Sequence, residues 1–166
     1  FSLDEGQAAA YIIVEQVNRM TSIVRQLLDF SRQRGPCFEA TDLIDLCEKT
    51  IQMLEPLADR AGVSLELAGT DHLAGELDRA QIRQALPNLI VQDSQACGAD
   101  GRVSVVAEAA PSSATRIGRR ADWAVLRVTD DGPGIPEDDQ TRVFEPFVTT
   151  KDVGDGTGLG LAVAYG

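Results

Sequence analysis

Two glycine-bearing stretches of this chain combine residue types that could do chemistry. "TDDGPGIPEDD" puts Asp130 at the end of a strand-like run, with Gly132 and Gly134 in the turn that follows. An isolated Asp-Gly-Pro-Gly is only a turn, because Gly and Pro supply dihedrals that other residues resist. Downstream, "VFEPFVTTK" sets Phe144 and Phe147 around Pro146 and then Lys151, and "GDGTGLGLAVAYG" sets glycines at 154, 156, 158 and 160 ahead of an apolar run. Glycine at every second position is costly in backbone entropy, so this segment has a use that needs bare backbone. The chemistry on offer is anion binding, in which successive N–H groups leading into a helix N-terminus hold phosphate oxygens. The dinucleotide fingerprint is not met, since Leu159 and Leu161 stand five places after Gly154 and Gly156. The P-loop is not met either, for want of a closing Gly-Lys-Ser/Thr.

Elements must bring these groups together. Residues 2–34 read as one long amphipathic helix: Ser2 and Glu5 have capping-box spacing, and Gly35-Pro36 supplies a stop. Its apolar stripe runs through Ile13, Met20, Ile23, Leu27 and Phe30, flanked by Val17, Val24 and Leu28, and is wide enough for a bundle or dimer seam or for a core helix. A second helix is expected from about Asp42 to Arg60, ended by Gly62, and then the strand "VSLELA". Asp78 caps a third, "DRAQIRQALPNLIVQDSQAC". "GRVSVVAEAA" and "ADWAVLRVTDD" are two strands joined by the polar loop "PSSATRIGRR", which suggests a hairpin. The mixed order of elements indicates an α/β sandwich with helices on one face.

Composition sets the bounds. With 166 residues, 43% of them apolar, the chain can bury one core, so one domain with an appendage is expected. A net charge of -11 opposes nucleic acid or an anionic membrane surface as partner. Cys37, Cys47 and Cys97 lack the close spacing of a zinc or redox site and read as reduced thiols in a cytoplasmic protein. No apolar stretch approaches the roughly 18 residues of a membrane span. Opening on Phe1 suggests a fragment.

Taken in order, "QALPNLIVQDSQAC", "DDGPGIP", "VFEPFVTTK" and "GTGLGLAVAYG" resemble the asparagine box, first glycine box, phenylalanine box and second glycine box of the catalytic ATP-binding domain of sensor histidine kinases. The wider group includes gyrase, the Hsp90 chaperones and MutL. "VNRMTSIVRQLLDFSR" is similar to the second helix of the kinase's dimerisation hairpin. The resemblance implies a two-layer sandwich of a mixed β-sheet with helices on one face over residues 36–166, preceded by a hairpin helix over residues 1–35. It implies that Asp130 accepts a hydrogen bond from the adenine amino group, selecting ATP over GTP, whose base offers a carbonyl there. Gly132 and Gly134, with Ile135 beside them, would let backbone approach the base. Gly156, Thr157, Gly158, Leu159 and Gly160 would give amides to the β and γ phosphates, with Lys151 an added cation, and Phe144 and Phe147 would anchor a lid. Asn88 and Gln92 would take the Mg2+ positions and, with Lys151, the catalytic ones. The implied reaction moves the γ-phosphoryl group of ATP to a histidine on the hairpin, in a homodimer that passes phosphate to a response regulator. The acceptor helix would precede Phe1, and further strands would follow Gly166.

Two departures bear on activity. The family pattern carries a second asparagine four residues after Asn88, where this chain has Gln92, and Pro87, Asp93 and Ser94 replace residues that are typically apolar or small. Pro87 removes a helical hydrogen bond and opposes the carbonyl of Arg83. If the helix stays regular, Asp93 is rotated about 100° from the Asn88 face; if Pro87 causes a bulge, Asp93 could come round to the metal. The altered box also leaves open a degenerate kinase that acts as a signalling scaffold. An ATP-hydrolysing clamp of the gyrase or Hsp90 kind is disfavoured, because Asn88 stands where those enzymes need a glutamate base. The single histidine, His72, falls in the loop "GTDHLAGE" and reads as a solvated residue rather than an acceptor.

Overall fold

The computed structural model describes residues 6–14, 16–17, 20–21, 24, 35–110, 123–149 and 158–165. By proximity the chain divides into two compact units, residues 35–141 and residues 1–34 with 142–166.

In the first unit, β1 (Glu39–Asp42) pairs antiparallel with β3 (Ala74–Leu77), in the register Glu39↔Leu77 to Asp42↔Ala74. Between them lie α2 (Leu43–Ala61) and β2 (Ser64–Gly69). Asp42 caps α2 by accepting the Ile44 N–H at 3.0 Å, and it also accepts the Leu73 N–H at 3.2 Å. One carboxylate thus begins the helix and fastens the residue before β3. Although partial burial raises the pKa of Asp42, these N–H bonds and His72 outweigh it and hold the carboxyl below its ordinary value. Gly62 ends α2 at φ 71, a left-handed geometry suited to glycine, and the Val63 N–H reaches back to the Ala58 carbonyl at 2.9 Å. His72 is 70% exposed, as expected of a loop residue, and its Nδ1 meets the Asp42 carboxylate.

After Asp78, α3 (Arg79–Cys97) leads to β4 (Arg102–Ala110) and β5 (Trp123–Asp130). Strand β4 lies between a parallel β2 and an antiparallel β5. Alternation puts Val103, Val105 and Ala107 of β4 on one face, all fully buried, with Leu65 and Leu67 of β2 and Leu126 and Val128 of β5 packed on the same core. Helices α2 and α3 cover this face through Leu43, Ile44, Cys47, Leu86 and Ile90. The other face carries the exposed ion pairs Arg102–Glu66 and Arg127–Glu108. This is the α/β layering with helices on one face that the order of elements implied, with β4 and β5 antiparallel neighbours as expected of a hairpin.

One feature differs from the sequence reading. The ribbon β1–β3 was not anticipated, because each of its strands has four residues and little buried alternation. Of the two courses left open at Pro87, the regular helix is the one found: α3 is continuous through Pro87, and α2 through Pro56. Leu86 and Ile90, each 1% exposed, hold the turns on both sides of Pro87 against the sheet. Tertiary burial here outweighs the hydrogen bond that proline removes. No register shift brings Asp93 round to the Asn88 face.

In the second unit the described residues 6–14, 16–17, 20–21 and 24 are helical (α1) and expose Tyr11, Ile13, Val17, Met20 and Val24. The capping pair Ser2 and Glu5, the stripe residues Ile23, Leu27 and Phe30, and the loop "PSSATRIGRR" lie outside the described residues. Short α4 (Glu137–Gln140) closes the first unit, and α5 (Gly160–Tyr165) belongs to the second. Cys37, Cys47 and Cys97 are all free thiols, and burial pushes the pKa of Cys47 up to about 11. Among the described residues no helix is long and apolar enough to cross a membrane.

Truncating Leu86 to alanine removes a side chain from the centre of the helix–sheet interface and is expected to cost about 2–5 kcal/mol, against roughly 0.5 kcal/mol or less for Leu57→Ala on the exposed side of α2. Urea unfolding should show the midpoint falling in the first variant with its slope retained; equal losses in the two would contradict this assignment of the core.

Candidate functional site

The register of β4 and β5 aims the first candidate residue. Asp130 stands opposite Val103, and Val128 stands opposite Val105, so Asp130 emerges on the helix-covered face at the very end of its strand. Its Oδ1 accepts the Gly132 N–H at 2.9 Å, which fixes the carboxylate and leaves Oδ2 for another donor. The Asp131 carboxylate accepts the Arg102 N–H at 2.9 Å. That bond, first among several, holds the Asp131 carboxyl below its usual pKa. An ideal Cβ at 132 would lie 2.7 Å from Asp130 Oδ1 and 3.1 Å from the carbonyl carbon and oxygen of Ala96, so a side chain there would displace the Asp130 carboxylate and press on the end of α3. The turn after β5 is therefore seated directly on the last turn of α3. Gly134 has φ 74, and Ile135 after it is exposed.

Helix α3 presents the asparagine-box residues to the same end of the unit. Asp78 Oδ1 accepts the Gln81 N–H at 3.0 Å, as the sequence spacing predicts, while its Oδ2 takes the Cys37 N–H at 2.8 Å. The bond from Cys37 is the largest reason that the Asp78 carboxyl sits below its ordinary pKa. Asn88 and Gln92 are four residues apart on an unbroken helix, so they share one face, and both are half-buried. Asp93 lies on the neighbouring stripe, continued by spacings of four, three and four through Leu86, Ile90 and Cys97. That stripe faces the sheet. Partial burial, and next the charge of Asp130, push the Asp93 carboxyl up to about 6. The helical spacing from Leu86 and Ile90 would have revealed this placement, which the sequence reading considered only in relation to the metal.

The second unit holds the phenylalanine box and the described end of the second glycine box. Phe144 stacks on Tyr165 with ring centroids 4.8 Å apart. Phe147 has φ 69, an uncommon conformation for an aromatic residue, and donates its N–H to the Gly158 carbonyl at 2.9 Å. At Gly158, φ is 62 and an ideal Cβ would come within 2.5 Å of the Phe147 carbonyl carbon, so no other residue fits. Leu159 is fully buried, and Gly160 opens α5. Lys151, Gly156 and Thr157 lie outside the described residues. Among the described residues no three His, Cys, Asp or Glu side chains gather into a metal site. Asn88 and Gln92 would instead offer two neutral amide oxygens on one helix face, a donor set that suits Mg2+ when it arrives with phosphate oxygens as its other ligands.

The sequence profile described as histidine kinase-, DNA gyrase B-, and HSP90-like ATPase matches residues 77–166. The chain is 39% identical over 162 residues to the sensor kinase CckA of Brucella abortus, covering 93% of this chain and 17% of that protein. It therefore spans about a sixth of that relative's length. Among solved structures it is similar to the histidine kinase AdeS of Acinetobacter baumannii, with TM-score 0.72 and 28% identity over 99% of this chain and 73% of that one. It is also similar to full-length ShkA in complex with AMPPNP, with TM-score 0.71 and 26% identity over 96% of this chain and 32% of that one.

Burial of Asp93, with the charge of Asp130 beside it, makes stability depend on pH. An unfolded aspartate ionises near 3.9, whereas Asp93 keeps its proton in the folded chain to about 6. The folded state binds the extra proton between these values, so its stability falls as pH rises through that window. Asp93→Asn should therefore match the natural chain below about pH 4 and exceed it in stability above about pH 6, as read by urea unfolding at a series of pH values. A gap that stays constant across the window would show that the folded chain does not raise the Asp93 pKa.

Proposed function

The chain belongs to the family of histidine kinase-, DNA gyrase B-, and HSP90-like ATPases, and on that premise we propose that residues 36–166 are the ATP-binding catalytic domain of a sensor histidine kinase, with residues 1–35 the second helix of its dimerisation hairpin. The observation that carries the reading is Asp130, a carboxylate at a strand end with one oxygen tied to Gly132 and the other available to an adenine amino group. The nucleotide analogue bound to the relative ShkA supports the same ligand class.

Each residue then has a task. Asp130 accepts from the 6-amino group of adenine, and a guanine carbonyl in that place would meet a second acceptor and be rejected. Gly132 and Gly134 keep the turn low enough for the base to lie on backbone, with Ile135 against it. Backbone N–H groups of Gly156, Thr157, Gly158, Leu159 and Gly160 hold the phosphates, with Lys151 as a cation. Asn88 and Gln92 hold Mg2+, which supplies neutralisation of phosphate charge. The acceptor histidine attacks the γ phosphorus and the bond to the ADP oxygen breaks, so the domain's contribution is position and charge neutralisation. His72 is read as an exposed loop residue and not as that acceptor, with its Nδ1 held by Asp42, which also caps α2. The acceptor belongs to the first helix of the hairpin, whose apolar partner surface on α1 includes Ile13, Val17, Met20 and Val24. A homodimer, a response regulator as the next carrier of phosphate, and a cytoplasmic location follow from this assignment.

Gln92 favours a second reading, a scaffold that retains the fold and binds nucleotide weakly, since its extra methylene displaces the amide oxygen from an asparagine's position. Calorimetric titration with ATP in the presence and absence of Mg2+ separates the two, the kinase requiring tighter binding when the metal is present.

Asp130→Asn should weaken ATP binding roughly ten- to a hundredfold, the worth of about 1.5–3 kcal/mol for a hydrogen bond to a charged group. Unchanged affinity by calorimetry would remove Asp130 from the site. Residues 1–166 alone should retain no phosphate from labelled ATP, whereas addition of a hairpin carrying an acceptor histidine should give an acid-labile label on that hairpin. Label on His72 would overturn the assignment.

A further inference from the structure

We propose that Asp93 is a second reader of the nucleobase, which takes one N–H of the adenine 6-amino group while Asp130 takes the other. The inference rests on the reading of the Asp130 turn as the adenine site.

Three observations place the Asp93 carboxyl there. The β4–β5 register puts Asp130 on the helix-covered face of the sheet. Helix α3 is unbroken from Arg79 to Cys97, so Asp93 shares the sheet-facing stripe with Leu86 and Ile90 and shares a face with Ala96, three residues on. The backbone of Ala96 in turn presses on Gly132, whose N–H holds Asp130 Oδ1. The two carboxyls therefore approach one point from the helix and from the strand. The half-buried state of Asp93 leaves it open to a ligand.

The chemistry fits an exocyclic amine. An NH2 group has two donors that diverge in the plane of the base, and each ionised carboxylate only accepts. Asp130 offers Oδ2, and Asp93 offers an acceptor on the α3 side. Two carboxylates around one amino group satisfy both donors, and the amino group relieves the opposition of the two charges. A base carrying a carbonyl at that position would face two acceptors in place of one.

The test compares ATP with N6-methyl-ATP, which has one donor fewer, at pH 8, by calorimetry on the natural chain, Asp93→Ala, Asp93→Asn and Asp130→Asn. Asp93→Ala should weaken ATP by about tenfold or more and leave N6-methyl-ATP unchanged or tighter, since the second donor is already missing. Asp93→Asn keeps an accepting oxygen and should recover part of the ATP affinity. Equal weakening of both nucleotides by Asp93→Ala, or no weakening of either, would overturn the proposal. If Asp130→Asn also leaves ATP unaffected, the adenine reading of the turn falls with it, whereas loss in Asp130→Asn alone removes only Asp93.

Discussion

The contact between Gly132 and the carbonyl of Ala96 is the constraint on which the first unit's candidate site depends. A side chain at 132 would press the turn after β5 away from the last turn of α3, since its Cβ would lie 3.1 Å from the Ala96 carbonyl. That seating decides which face of α3 meets the strand end, and so which of its polar residues can act with Asp130. It also ties site to core, since α3 is held by Leu86 and Ile90 and β5 by its antiparallel ladder with β4. A shift of α3 by one residue would exchange Asp93 for a neighbour about 100° away and undo the pairing.

Much of this arrangement was legible in the residues because it is local. Asp42 with Gly62 bounds α2, Asp78 is three residues before the N–H it caps, and the alternation in "GRVSVVAEAA" and "ADWAVLRVTDD" announces a hairpin. Such signals operate over a turn or a pair of strands, which is the range a sequence pattern carries. The four boxes extend that range only through their resemblance to a family, since nothing in "DDGPGIP" alone distinguishes a base-binding turn from an ordinary one.

What stayed hidden depends on distant partners. β1 and β3 are joined only through chain more than thirty residues apart, and with few buried side chains neither shows a period of two. Pro87 left two helix courses open, because the local sequence shows the hydrogen bond that a proline removes and not the burial on either side of it. Asp93 was legible in principle from its spacing to Leu86 and Ile90. Its significance required Asp130, thirty-seven positions later in sequence, to be placed opposite it.

The bond between the Phe147 N–H and the Gly158 carbonyl pins together two points eleven positions apart. The backbone strain at Phe147, with φ 69, belongs to this pinned junction. For a loop whose ends are fixed, the entropy of closure grows only with the logarithm of length, about 0.6 kcal/mol for each doubling. By that measure a change in the number of residues between Phe147 and Gly158 costs little so long as the junction is kept. At the junction itself the geometry is restrictive, since Gly158 has no room for a Cβ against Phe147.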